Sequence, residues 1–281
     1  MTTLTTSRGC PFRCIYCDIP EKRYHARSAE NIVNEMEEIV IMGIKTIFII
    51  DDTFNINRQR VMDMCSEILK RNLDIKWSAR VRVYPCDYEM LSLMKKAGCQ
   101  RLHVGVETLD PNILKIIKKK ITVEQINNFF SICKQLKIDT LAYFIIGFPQ
   151  ETNEYRESFY VKLKKLSPTY LYVNILYPAT TSELYKELLK QKVYKEDFWK
   201  RFVHNPVKDF EVPLFRTPEL HEELLNFADE MHRKFYFSPQ FIINDLRNNF
   251  STKTFGIKVR GASKLLYKTL LRKYFVSLRN G

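Results

Sequence analysis

Along residues 1–176, short runs dense in Ile, Val, Tyr and Phe alternate with stretches of helical periodicity, and this alternation limits the fold more than any other feature of the sequence. The runs with strand character are residues 2–6, 46–51, 76–80, 101–106, 140–146 and 170–176. Helical patterns fill the gaps. One opens at Ser28, with Asn31 and Glu35 behind it, and runs to about Met42, where Gly43 stops it; others cover 57–69, 87–96 up to Gly98, 123–135 and 153–166. Strand followed by helix, six times over, predicts a parallel sheet with right-handed crossovers. Six units fall two short of a closed (β/α)8 barrel. The expected fold class is therefore α/β, a partial (β/α)6 TIM-like barrel with its chemistry at the carboxyl ends of the strands.

The alternation stops after Pro178. Residues 184–200 read as one helix, 205–218 as a loop punctuated by Pro206, Pro213 and Pro218, 219–236 as a strong helix, and 239–281 as helical pieces. The expected domains are a core barrel over 1–180 and a mostly helical C-terminal extension with a basic tail over 181–281. The formal charge of +13 is uneven: from Arg247 to Gly281 there are nine Lys/Arg and no acid, which leaves the rest of the chain at only +4. Residues 262–278 plot as an amphipathic helix with Lys264, Lys268 and Arg272 on one side. Peripheral membrane contact through this tail is one expectation. Packing as an ordinary terminal helix is another, and nucleic acid is the least favoured partner.

With 45% hydrophobic and 27% charged residues the chain has material for a core, and it contains no apolar run of transmembrane length. Its start lacks the pattern of a secretory signal, so the expected setting is cytoplasmic and reducing. The seven cysteines, all in the first half, are then free thiols rather than disulfides.

Three of them form Cys10-Pro-Phe-Arg-Cys14-Ile-Tyr-Cys17, a C-x3-C-x2-C run directly after the first strand. Three thiolates in one loop can face one centre, and three ligands on a four-iron cluster leave one iron open to bind another molecule. A structural zinc ion with His25 as fourth ligand is the alternative, since three Cys and one His are a common zinc set. That alternative describes a non-catalytic, zinc-stapled binding module whose basic tail docks on membrane or RNA.

The phrases TSRGCPFRCIYC, IFIIDDTFNIN, LMKKAGC-x4-VGVET and YFIIGFPQET, in this order across residues 2–180, resemble the radical S-adenosylmethionine (radical SAM) superfamily, and within it the branch whose members usually carry an N-terminal cobalamin-binding domain. The resemblance implies a 4Fe-4S cluster on Cys10, Cys14 and Cys17, whose open iron chelates S-adenosylmethionine. Reductive cleavage then gives a 5′-deoxyadenosyl radical that takes hydrogen from a small organic substrate, a lipid-like one among the options, leading to methylation, cyclisation or a related rearrangement. An electron donor such as flavodoxin or ferredoxin is implied as a partner. Cobalamin is implied only if a missing or separate domain supplies it, because nine residues precede Cys10.

The resemblance also implies a set of S-adenosylmethionine contacts. Tyr16 supplies the aromatic of the cysteine motif. Asp51 and Asp52 end the second strand, where a carboxylate suits the methionine ammonium; either could instead cap the next helix. Arg82 would pair with the cofactor carboxylate or with Glu107. Glu107 would accept the ribose hydroxyls, with Gly105 allowing close backbone approach. Ile146 and Gly147 would pack on the adenine, and Leu176 and Tyr177 would follow at the last strand, where Ala179 replaces the glycine usual in that loop. No residue is assigned a catalytic role in the hydrogen transfer. His103 shares a strand face with Gly105 and Glu107, which would turn it toward the barrel interior or outward as a packed residue.

Overall fold

The computed structural model describes residues 1–249 and, beyond them, 256, 260, 261 and 263. Eight strands occur among them: β1 (Thr2–Leu4), β2 (Ser7–Arg8), β3 (His25–Ala26), β4 (Thr46–Ile49), β5 (Lys76–Val81), β6 (Cys99–Glu107), β7 (Asp139–Ile146) and β8 (Tyr170–Ile175). All six runs read as strands from the sequence form one parallel sheet in the order β1-β4-β5-β6-β7-β8. Neighbours in space are thus neighbours along the chain, the arrangement of a barrel wall rather than of a doubly wound sheet. β2 and β3 make a separate antiparallel pair, with Arg8 opposite His25.

Crossover helices cover one face: α1 (Ala29–Ile41), α2 (Arg58–Lys70), α3 (Tyr88–Lys96), α4 (Pro111–Ile116), α5 (Val123–Gln135) and α6 (Asn153–Leu166). Each begins at a side chain that accepts from an otherwise unpaired backbone N–H: Ser28, Asn57, Asp87, Asp110, Thr122 and Thr152 in turn. At Thr122 the cap is reciprocal, with Gln125 bonding back to the Thr122 backbone. α4 has no counterpart among the expected helices, although Asp110-Pro111 is a cap followed by proline at the first helical position.

Period-two alternation sorts the sheet residues. Ile47 and Ile49 on β4, Trp77 and Ala79 on β5, Leu102 and Val104 on β6, and Ala142 and Phe144 on β7 are buried under the helices. Each large apolar side chain buried in this way contributes about 1.5–3 kcal/mol. The intervening residues point to the concave face: Phe48, Arg80, His103, Gly105, Glu107, Tyr143 and Tyr172. The isolated cysteines Cys65, Cys99 and Cys133 are buried in this frame, and burial pushes each thiol pKa up.

The chain divides into two compact units, residues 1–218 and 219–281. In the first, the single helix expected over 184–200 is two: α7 (Glu183–Lys190) and α8 (Phe198–His204). The break has a local cause. Lys192 takes a left-handed φ of 59°, and Asp197 starts a fresh cap on Lys200 N, while Tyr194 between them packs with Tyr185 and Phe198. α9 (Pro218–Tyr236) leads into the second unit, where α10 (Pro239–Asn249) follows. The amphipathic helix expected over 262–278 lies, but for position 263, outside the described residues. Among the described residues no helix is long and apolar enough to cross a membrane.

Candidate functional site

The loop that follows β1 is pinned before it reaches its first cysteine. Asp51, just past β4 and buried, accepts from Thr6 N at 2.6 Å and from the Thr6 and Ser7 hydroxyls at 2.5 Å each, with Arg60 Nη2 at 3.8 Å. Its carboxylate is taken up by this clamp, so among the two aspartates considered from sequence Asp52 alone is exposed; it accepts from Gly9 N at 2.9 Å. Gly9 has a φ of 82°, and a Cβ placed there would stand 1.9 Å from Arg23 O. Only glycine lets the two arms of the loop cross this closely.

Beyond Gly9 the backbone is held on three sides. Cys10 N donates to Glu21 O at 3.0 Å, Ile15 N to Ile117 O at 3.2 Å, and Leu184 N to Ile15 O at 2.8 Å. Cys10 and Cys14 are buried and Cys17 is half-buried. Burial raises the Cys17 pKa; the Ile19 backbone and Lys22 act against this, and Cys14 and Cys10 add to it, so the three sulfurs lie within electrostatic reach. Cys10 Sγ lies 3.7 Å from Thr53 Oγ1, and Cys14 Sγ lies 3.9 Å from Lys118 O. Arg82 reaches across from the end of β5: Nη1 is 3.8 Å from Cys14 Sγ, Nη2 donates to Lys119 O, and the guanidinium carbon stands 3.8 Å from the centre of the Phe12 ring. Its Nε is buried and has no hydrogen-bond partner among the described residues.

Glu107 closes β6 with a φ of 66°, at a register irregularity between Gly105 and Glu107. Such a bulge re-aims a side chain at a backbone cost that ordinary strand residues do not carry. The carboxylate meets Lys119 Nζ at 2.6 Å, both partners being buried, and Lys119 Nζ lies 3.2 Å from Tyr16 OH. Burial first, then Glu107 and Cys14, raise the Tyr16 pKa well above the usual phenol value, so the hydroxyl stays protonated. Gly105 makes room for the pair: a Cβ there would stand 2.5 Å from Glu107 Oε1 and 3.0 Å from Lys119 Nζ. Cys14, Tyr16, Arg82 and Glu107 are thus brought together, and Lys119 joins them.

The ends of β7 and β8 meet Tyr16 through an apolar patch of Ile113, Ile117, Phe148 and Leu176, with Ile145 packed against it. Tyr16 stands edge-on to Phe148, the ring centres 6.3 Å apart. Ile146 does not join this wall. Alternation puts it under the helices, fully buried, and its carbonyl is taken by Leu176 N, so Ile145 is the isoleucine on the site face. Gly147 has its N–H on Glu151 Oε2 at 3.0 Å. Tyr177 is 46% exposed.

The three cysteines of the loop are free thiols with an arginine against one sulfur, a set that fits an iron–sulfur cluster in which each thiolate takes a different iron. His25, the fourth ligand of the zinc alternative, lies on β3 opposite Arg8.

The sequence profile of the radical SAM superfamily matches residues 4–163. An uncharacterized methyltransferase of Pyrococcus horikoshii is 32% identical over 270 residues, 94% of this chain and 57% of that protein. An anaerobic magnesium-protoporphyrin IX monomethyl ester cyclase of Rubrivivax gelatinosus is 29% identical over 242 residues, 84% of this chain and 42% of that one. The radical S-adenosylmethionine methyltransferase TsrM from Kitasatospora setae, solved with cobalamin and its 4Fe-4S cluster bound, shares the fold with a TM-score of 0.64 at 24% identity, over 68% of this chain and 39% of that chain. The chain spans about half the length of the curated relatives it matches. It belongs to the radical SAM superfamily, whose cofactors are a 4Fe-4S cluster and S-adenosylmethionine.

Proposed function

For this member of the radical SAM superfamily we propose that Cys10, Cys14 and Cys17 hold the 4Fe-4S cluster at the mouth of the open barrel, and that the chain is the catalytic core of a methyltransferase or cyclase acting on a small organic molecule. When bound and reduced, the cluster supplies the electron that splits S-adenosylmethionine into methionine and a 5′-deoxyadenosyl radical.

The residues of this chain position and shield. The backbone bonds to Glu21, Ile117 and Leu184 fix the thiol loop before any ligand arrives, which lowers the entropy cost of assembling the site. Arg82 places a permanent cation beside Cys14, with a buried Nε left to donate to a carboxylate such as that of S-adenosylmethionine. Glu107 presents its carboxylate to the ribose hydroxyls, and Lys119 holds that carboxylate in place from the other side. Asp52, the exposed aspartate, is the carboxylate open to the methionine ammonium. Ile145, Phe148 and Leu176 form the apolar wall that keeps water from the adenosine.

The observation that carries this reading is the convergence of Cys14, Arg82, Glu107, Lys119 and Tyr16 at the carboxyl ends of the strands. In this reading a flavodoxin- or ferredoxin-type donor supplies the electron, and any cobalamin is held by a missing or separate domain. The test is anaerobic reconstitution with iron and sulfide. A brown protein that forms 5′-deoxyadenosine from S-adenosylmethionine under reduction, and loses both colour and product in Cys14→Ala, is expected. A protein that stays colourless, or that releases no 5′-deoxyadenosine once loaded, sinks the reading.

A further inference from the structure

Below the thiol layer the concave face of the sheet carries a continuous band of rings that the site above does not use. Phe48 on β4 lies against His103 on β6, ring centres 4.7 Å apart. His103 is 6.1 Å from Tyr143 on β7, with Nδ1 at 3.1 Å from the Tyr143 hydroxyl, and Tyr143 is 5.7 Å from Tyr172 on β8. The band runs across the strands. Across the bulge, His103 and Glu107 are opposite Leu141 and Phe144 of β7, which places His103 about 10 Å deeper along β6.

One cation borders the band. Arg80 of β5 stands 5.6 Å from the Phe48 ring centre, is exposed, and pairs with no carboxylate among the described residues. Its register partner is His103. The other arginine of this face, Arg101, is already engaged: it lies 3.5 Å from Asp139 and 4.1 Å from the Tyr170 ring centre. Burial, with Arg101 and Arg80 nearby, lowers the His103 pKa to about 4, so the histidine is neutral at physiological pH and offers Arg80 neither competition nor an acid.

We infer that this band is the substrate floor and that it takes a planar, conjugated organic acid, with Phe48, His103 and Tyr143 against the ring system and Arg80 on the carboxylate. A flat ligand makes contact with several rings at once at little conformational cost, and aromatic pairs add to the area they bury. A purely aliphatic chain would offer the Arg80 guanidinium no charged partner and would stack on none of the rings. The inference rests on the proposed function for what becomes of the bound molecule; the binding itself does not depend on it.

The experiment uses the reconstituted chain and three probes: naphthalene-2-carboxylate, naphthalene-2-carboxamide and decanoate, titrated by ligand-observed NMR. The carboxylate is expected to bind about tenfold more tightly than the amide, the size of a hydrogen bond to a charged partner. Arg80→Gln should bring the two within about twofold and Arg80→Lys should recover part of the gap, since lysine keeps the charge without the fork. Phe48→Leu should weaken both naphthalene probes alike, and Lys186→Gln on α7 should change neither. Equal binding of acid and amide, a preference that survives Arg80→Gln, or decanoate binding as tightly as the naphthoate would overturn the inference. Assaying 5′-deoxyadenosine on the same preparation separates the two proposals. Turnover without naphthoate binding removes the floor alone, and naphthoate binding without turnover removes the radical reading alone.

Discussion

Lys119 Nζ lies 2.6 Å from Glu107 Oε1, and both side chains are buried, so each is the other's partner in the interior. Removing one partner leaves a charge with nothing to offset its desolvation. Lys119→Met is therefore expected to cost about 3–5 kcal/mol in urea unfolding, and adding Glu107→Gln to it should return a large part of that loss. If the single and double variants were equally unstable, the lysine would matter for its packing and not for its charge.

Gly105 constrains the same pair from the backbone side. A methyl group at this position would stand 2.5 Å from Glu107 Oε1, closer than atoms tolerate, so Gly105→Ala must push the carboxylate away from Lys119. The expected outcome is a stability loss of about 1–3 kcal/mol, typical of overpacking, with a weaker apparent affinity for S-adenosylmethionine. Thermal unfolding and equilibrium binding check the two parts separately.

Arg82 acts on the thiolate side. Its Nη1 is 3.8 Å from Cys14 Sγ, so Arg82→Gln takes a positive charge away from the sulfur and makes reduction of a cluster held there harder. A more negative midpoint potential is expected in an EPR-monitored redox titration, with 5′-deoxyadenosine formation at fixed reductant slowed by about tenfold, as for other residues that support metal ligands. Arg82→Lys should hold the potential closer to that of the unaltered protein. A potential unchanged in Arg82→Gln would assign the arginine to the loop alone.

The barrel was legible in the sequence because its signals are local. Strand runs, caps and the Gly43 and Gly98 stops each act within a few residues, and the six-stranded order follows from them. The thiol loop and Glu107 were legible as motifs. Lys119 was not, because it is the middle of Lys118-Lys119-Lys120 and a run of like charges reads as a solvated face. What turns it inward is a left-handed backbone on both sides, φ 55° at Lys118 and 54° at Lys120, which no propensity announces. Ile146 shows the converse. Strand alternation buries its side chain under the helices and sets Ile145 against the apolar patch at Tyr16. The split of 184–200 into α7 and α8 depends on aromatic packing among Tyr185, Tyr194 and Phe198, a tertiary preference that helical periodicity does not reveal.

Glu151 gives the fold a pH dependence of its own. Its Oε2 accepts from Gly147 N at 3.0 Å at the end of β7, and burial raises its pKa from 4.5 to about 7, against the Gly147 bond and the charges of Arg156 and Arg216. The folded chain therefore prefers the protonated acid. Because the folded pKa lies above the unfolded one, this contribution is complete below about pH 4.5 and is lost as pH rises through about 7. Stability should fall by about 2.5 kcal/mol between pH 5 and 8, beyond what other groups contribute, because a tenfold difference in proton affinity between the folded and unfolded chain is worth about 1.4 kcal/mol. Glu151→Gln keeps an acceptor for Gly147 and cannot ionise, so its urea midpoint should exceed that of the unaltered chain at pH 8 and approach it at pH 5. A variant that is weaker at both pH values would show that the carboxylate is ionised in the folded state and held by Arg156 and Arg216.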